Sequence, residues 1–246
     1  MTAISLTSRR GEATGTQTAF GFERILLCCG ILSTLLYVAM NVLLARQSPG
    51  YSSISQTISE LSAIGAPTRS TWLIPGIAYT VLAIAFGCGV SRAAGENRKL
   101  HVAGIALLCF GALGLFWPFA PMHQRVVLAS GGATLTDTAH IALGSVSVVA
   151  MLVAVVFAGT ALGPGFGFYS LATLATVVVF GAATGMNAPR ISANLPTPWV
   201  GLWERISIGA FMLWEVVLTV KLLRTRATHP QLRMGAQANE SERVRQ

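Results

Sequence analysis

Six stretches of about twenty predominantly apolar residues constrain this chain more than any other feature. They run over 25–44, 72–90, 100–120, 140–162, 168–186 and 201–223. A helix needs roughly 20 such residues to cross about 30 Å of hydrocarbon. The first five carry no Asp, Glu, Lys or Arg, and the sixth carries Glu204, Arg205, Glu215 and Lys221. Only 11% of the 246 residues are charged and mean hydropathy is +0.63, whereas soluble domains carry about 25% charge, so the surface cannot be mostly aqueous. The expected fold is all-α: a polytopic membrane protein of six transmembrane helices, with one short amphipathic helix on its outer face. Residues 23–224 form the transmembrane domain. The tails, 1–22 and 225–246, are polar and aperiodic and are expected to be disordered. The first stretch ends in LLARQ, without a small-x-small cleavage pattern, and is expected to be a retained helix.

Basic residues set the orientation. Arg9, Arg10, Arg24, Arg92, Arg98, Lys99, Lys221, Arg224, Arg226, Arg233, Arg243 and Arg245 fall on one side, twelve of the seventeen Lys and Arg. Basic segments mark the cytoplasmic side, so the reading is a multi-pass protein of the cell membrane, a bacterial inner membrane, with both termini cytoplasmic. Trp72, Trp117, Trp199 and Trp203 then sit at outer span ends, where an amphipathic ring prefers to lie; Trp214 does not. The net charge of +8 belongs to tails and one loop, where it attracts anionic headgroups. The partners expected are therefore membrane lipids and not nucleic acid. Cys28, Cys29, Cys88 and Cys109 all lie in spans and lack metal-finger spacing, which reads as small buried hydrophobes.

Between the first two spans lies SPGYSSISQTISELSAIGAP, residues 48–67. Tyr51, Ile54, Ile58, Leu61 and Ile64 recur at spacings of 3, 4, 3 and 3, one stripe of a helix. Ser53 with Gln56 fits a capping box, and Gly65 followed by Pro67 supplies a stop. The pattern predicts a helix over 53–64, lying in the outer interface with Glu60 on its polar side.

Pro49-Gly50-Tyr51, Ile58-Ser59-Glu60-Leu61-Ser62 and Gly65-Ala66-Pro67 resemble the first outer loop of domain-of-unknown-function family 998, small bacterial membrane proteins with about six spans. Phe116-Trp117-Pro118-Phe119 with His140 downstream, and Gly201-Leu202-Trp203-Glu204-Arg205-Ile206, are similar to further segments of that family. The chain departs from it at Ala120-Pro121-Met122-His123, where the resemblance implies an acid. The loop is also distantly similar to that of Frag1/DRAM/Sfk1-type membrane proteins. The resemblance implies a fold and a location, and no activity.

The polar residues that carry chemistry gather on the outer side: Ser59, Glu60, His123, Arg125, Asp137, His140, Glu204 and Arg205. Asp137 and His140 share a helix face at i and i+3, and a carboxylate orienting an imidazole suits a general base or a metal ligand. Asp137 and Glu204 equally suit the first turns of their spans. Glu60 and Arg205 are expected to meet beneath the 53–64 helix, beside His140. No HExxH, nucleophile elbow or phosphate loop is present, and neither a cofactor nor a metal is expected. Glu215 is the candidate intramembrane acid; a carboxyl there must be protonated, paired or hydrated. Asn41 reads as an interhelical hydrogen bond, and Gly104, Gly111, Gly114, Gly181 and Gly185 as close helix contacts. The leading functional reading is a non-catalytic lipid-associated, scaffolding or regulatory protein. The alternatives are a hydrolase or lipid-modifying enzyme using the outer cluster, and a small proton-linked carrier using Glu215.

Overall fold

The computed structural model describes the backbone of residues 3–243 and the side chains of residues 21–225. The tails expected at 1–22 and 225–246 fall almost wholly outside the described side chains. Six helices carry the apolar stretches: α1 (Ala3–Gln47), α2 (Arg69–Ala93), α3 (Arg98–Leu113), α5 (Leu135–Ala161), α6 (Pro164–Gly185) and α8 (Val200–Arg243). Two short helices, α4 (Arg125–Ala129) and α7 (Ala188–Ser192), lie in connectors, as do two 3-10 turns, Ile58–Ser62 and Gly114–Phe119. Among the described residues, six helices are long and apolar enough to cross a membrane. The span carried by α5 starts at Leu135, so His140 stands more than one turn inside it rather than at its opening.

Each long helix packs on its chain neighbours, and α8 returns to α1, closing a ring of six. Along α2 and α3 the backbones touch. A Cβ on Gly87 or Gly104 would run into the backbone of Leu108 or Ser91, and one on Gly111 would lie 2.7 Å from the Ile84 nitrogen. Small residues at such a seam let dispersion act between backbones, since lipid leaves no hydrophobic drive between helices. The expected Gly181/Gly185 seam differs: a Cβ on Gly181 meets only the Ser207 hydroxyl at 3.4 Å, and one on Gly185 meets nothing within 4 Å. Phe86, Phe211, Trp214, Leu107 and Leu218 fill the ring, with Trp214 stacked on Phe211 at 5.8 Å between centroids. Trp214 is the tryptophan that sits away from the span ends, and its indole N–H donates to Ser170 Oγ at 3.0 Å. That bond removes the cost of a buried donor.

The two connectors at one end of the bundle, 94–97 and 162–163, are short. The three at the other end, 48–68, 114–134 and 186–199, are long and fold over one another. We call this the capped end.

Candidate functional site

The cap is built around the 48–68 connector. Gly65 takes φ +86°, a conformation that favours glycine, and turns the chain toward α2. The helix expected over 53–64 does not form; the connector holds only the five-residue 3-10 turn Ile58–Ser62. The capping box also sits elsewhere. Thr57 is the N-cap, and Glu60 Oε2 accepts from the Thr57 amide at 2.7 Å and hydroxyl at 3.0 Å. Gln56 instead closes a turn, accepting from the Ser52 amide at 2.9 Å. A longer helix is prevented because the carbonyls it would use are engaged by arginines. Ser53 and Gln56 accept from Arg205 Nη1 at 2.9 and 3.2 Å, and Ser55 accepts from Arg125 Nη2 at 3.1 Å. The apolar stripe is split accordingly: Ile58 and Leu61 are buried while Ile54 is 51% exposed.

Glu60 is buried rather than solvated, and its partner is Arg125, not Arg205. Arg125 Nε and Nη2 donate to Glu60 Oε1 and Oε2 at 2.7 and 2.9 Å, a bidentate pair whose side chains are 6% and 12% exposed on the Glu60 and Arg125 sides. Arg125 Nη1 also donates to Thr197 Oγ1 at 2.8 Å, and that hydroxyl donates to the Ser55 carbonyl. One guanidinium therefore joins three connectors. Arg205 lies one turn into α8, beneath the connector's backbone. It donates to the Ser53 and Gln56 carbonyls and to its own Gly201 carbonyl, and Nη2 reaches Tyr51 Oη at 2.7 Å. Tyr51 in turn donates to the Thr57 carbonyl at 2.8 Å. Burial, offset in part by the Arg205 hydrogen bond, pushes the Tyr51 phenol up to about 12, so it is a neutral donor at physiological pH. Glu204 accepts from the Ile58 amide. A Cβ at Gly201 would run into the Gln56 carbonyl oxygen, so the connector seats on α8 only over glycine.

Asp137 and His140 share a helix face but not a hydrogen bond. Asp137, in the first turn of α5, points back to satisfy unpaired donors there, accepting from the Thr134 amide at 2.8 Å. It also accepts from the His123 amide at 2.7 Å, and its Oδ2 lies 2.8 Å from His123 Nδ1. The Ile64 amide donates to the Met122 carbonyl beside this pair. His140 turns the other way: Nδ1 lies 2.8 Å from the Ala120 carbonyl oxygen, Nε2 lies 2.9 Å from Ser59 Oγ, and the ring stands edge-on to Trp117.

The six expected residues Ser59, Glu60, Asp137, His140, Glu204 and Arg205 all lie at the capped end. Of the six only Ser59 and His140 share a side-chain hydrogen bond, while Asp137 and Glu60 pair instead with His123 and Arg125. Both had been placed on this side, but nothing in their spacing tied Arg125 to an acid 65 residues earlier. Glu215 lies apart, fifteen residues into α8 or roughly 22 Å along its axis. It is 2% exposed, with no hydrogen bond or ion pair to its carboxyl among the described residues. Asn41 donates to the Tyr37 carbonyl of its own helix at 3.1 Å rather than across helices, and its Oδ1 has no partner among the described residues. Among the described residues no three His, Cys, Asp or Glu side chains come together as a metal site would need.

A ring of six apolar helices, closed at one end by a hydrogen-bonded polar cap, defines a small multi-pass membrane protein. Within that class the family is known: the chain belongs to the one described as Protein of unknown function (DUF998), whose model matches residues 31–221. That match runs from within α1 to within α8 and takes in the four long helices between them and the cap. No curated protein and no solved structure matches the chain, and the likeness to Frag1/DRAM/Sfk1 proteins is not shown by these comparisons.

Proposed function

We propose that this is a lipid-associated membrane protein with both termini cytoplasmic, whose external end is held shut by the cap, and that the cap's charged residues serve scaffolding rather than chemistry. One observation carries the reading. Glu60, Arg125, Asp137, His123, Glu204 and Arg205 each direct their hydrogen bonds into the protein, onto one another or onto the backbone of 48–68. A charged catalytic or binding group would instead keep a face toward its ligand. Lipid is the natural occupant of the outward apolar faces, where Ile74, Phe168 and Met186 are more than three-quarters exposed.

Amide hydrogen exchange in lipid nanodiscs tests the closed cap. The amides of Thr57, Ile58 and Ile64 should exchange far more slowly than those of a free peptide, because they donate to the Glu60 and Glu204 carboxylates and the Met122 carbonyl. Exchange at free-peptide rates would remove the reading. For orientation, a reporter active only outside the cytoplasm should be silent after Arg226 and active near Ser130. The opposite result would invert the assignment.

A further inference from the structure

Closure accounts for the charges of the cap, but it does not call for the neutral pair Ser59 and His140. The Ala120 carbonyl oxygen can only accept, so His140 Nδ1, 2.8 Å away, is the nitrogen that carries the hydrogen. His140 Nε2 then presents a lone pair, and the Ser59 hydroxyl, 2.9 Å distant, is the donor. Trp117 packs edge-on against the imidazole at 4.9 Å between centroids, fixing its plane. This is the arrangement of a nucleophile and its general base, with a backbone carbonyl holding the tautomer where a triad would use a carboxylate. The nearest acid on the same helix, Asp137, is turned to His123 and Thr134. Ser59 is held in place from both sides by its own turn, since Glu60 is fixed by Arg125 and the Ile58 amide by Glu204. Ser59 and His140 are half-buried, as are His123, Arg125, Glu204 and Arg205, whereas Glu60 and Asp137 are buried. The segment that supplies Trp117 also exposes Phe116 and Phe119, and Leu135 is 82% exposed in the first turn of α5. The pair thus sits at a span end, beside an apolar rim.

We propose that Ser59 is a nucleophile activated by His140, and that the pair cleaves a carboxylic ester of an amphiphile lying in the membrane interface. Ser59 Oγ would bond to the ester carbonyl carbon as its proton passes to His140 Nε2. The carbon–oxygen bond to the alcohol then breaks, and the alcohol leaves with that proton, giving an acyl-serine. Water attacks the acyl carbon, delivers a proton to His140 and releases the acid, and the proton returns to Ser59. The apolar rim selects the acyl chain and accounts for the amphiphile.

The test uses full-length protein in nanodiscs and an alkyl fluorophosphonate, which Ser59 would attack with loss of fluoride. Mass spectrometry should place the adduct on Ser59 in the wild-type protein, so the assignment does not depend on a variant folding. Labelling should vanish in Ser59→Ala, slow at least about a hundredfold in His140→Gln, and persist in Ser62→Ala, a serine of the same turn that faces no imidazole. Hydrogen exchange over 57–64 in each variant separates loss of chemistry from loss of the cap. An unlabelled wild-type protein, an adduct on another serine only, or a His140→Gln variant labelled at the wild-type rate with an intact cap would each overturn the proposal.

Discussion

Glu60 and Glu215 are both buried glutamates, 8% and 2% exposed, and the molecule treats them in opposite ways. Glu60 lies at the capped end, where its two oxygens receive Arg125, Gln56 and Thr57. Glu215 lies deep in the ring with Trp214 and Leu218 beside it in sequence, and no donor reaches its carboxyl among the described residues. Taking a carboxylate out of water costs several kcal/mol per ion even after relaxation. At the cap that cost is offset by the bidentate Arg125 guanidinium, the Gln56 side-chain amide and the Thr57 amide and hydroxyl, so Glu60 can anchor the arginine that joins three connectors. Deep in the ring no partner among the described residues offsets it. The contrast separates a charge used as architecture from a carboxyl that the bundle merely contains.

The largest effect should come from breaking the Glu60 site. Arg125→Gln strands a buried carboxylate and releases the Ser55 carbonyl and Thr197, which should lower stability by about 3–5 kcal/mol in detergent-solubilised melting. Glu60→Gln should cost a similar amount. The double variant should cost clearly less than the sum, with a coupling of about 1–3 kcal/mol. Additive losses would mean that Glu60 and Arg125 act on the cap separately, and the contrast with Glu215 would lose one side. Arg205→Gln in the same cycle with Glu60→Gln should show a far smaller coupling, because Arg205 holds backbone carbonyls and Tyr51 rather than the acid.

A middle-sized effect is expected at Gly201, where the connector rests on α8. Gly201→Ala places a methyl against the Gln56 carbonyl. The seam should open or shift at a cost of about 1–3 kcal/mol, with faster exchange over 57–64 and little change in the ring. Unchanged protection would show that the connector is held by its arginines alone. A loss spread over all six helices would show that cap and ring are one cooperative unit rather than two regions.

The two regions were not equally legible in the sequence. The ring was: six apolar runs predict six helices, because length and composition act locally. The cap was read as a group of residues on one side, and the pairing expected within it, Glu60 with Arg205, is not the one that forms. Glu60 and Arg125 are 65 residues apart and Ser59 and His140 are 81 apart, so no periodicity links them. The 3-4-3-3 stripe in 51–64 predicted a helix by a sound rule. That rule assumes the backbone carbonyls are free to serve the helix, and here guanidinium groups from α4 and α8 take them. The Asp137/His140 pair failed similarly. Sharing a face permits a contact, but the unpaired amides of a helix start compete for the acid, and His123 and Thr134 won it.

The smallest effect should come from Glu215→Gln. Glutamine has nearly the shape of an uncharged glutamic acid, and no ion pair is present for it to break among the described residues. The change should therefore fall within about 1 kcal/mol, at least threefold below the loss from Glu60→Gln. Glu215→Lys is the complementary variant: it places a long cation among Trp214, Leu218 and their neighbours, and should destabilise strongly. Thermal melting of the three variants side by side decides the comparison. If Glu215→Gln cost as much as Glu60→Gln, Glu215 would have to hold a charge that something neutralises. The ring would then contain a second organised polar site, and the division between an architectural cap and a passive interior would fail. A small loss keeps that division and leaves the capped end as the place to look for chemistry.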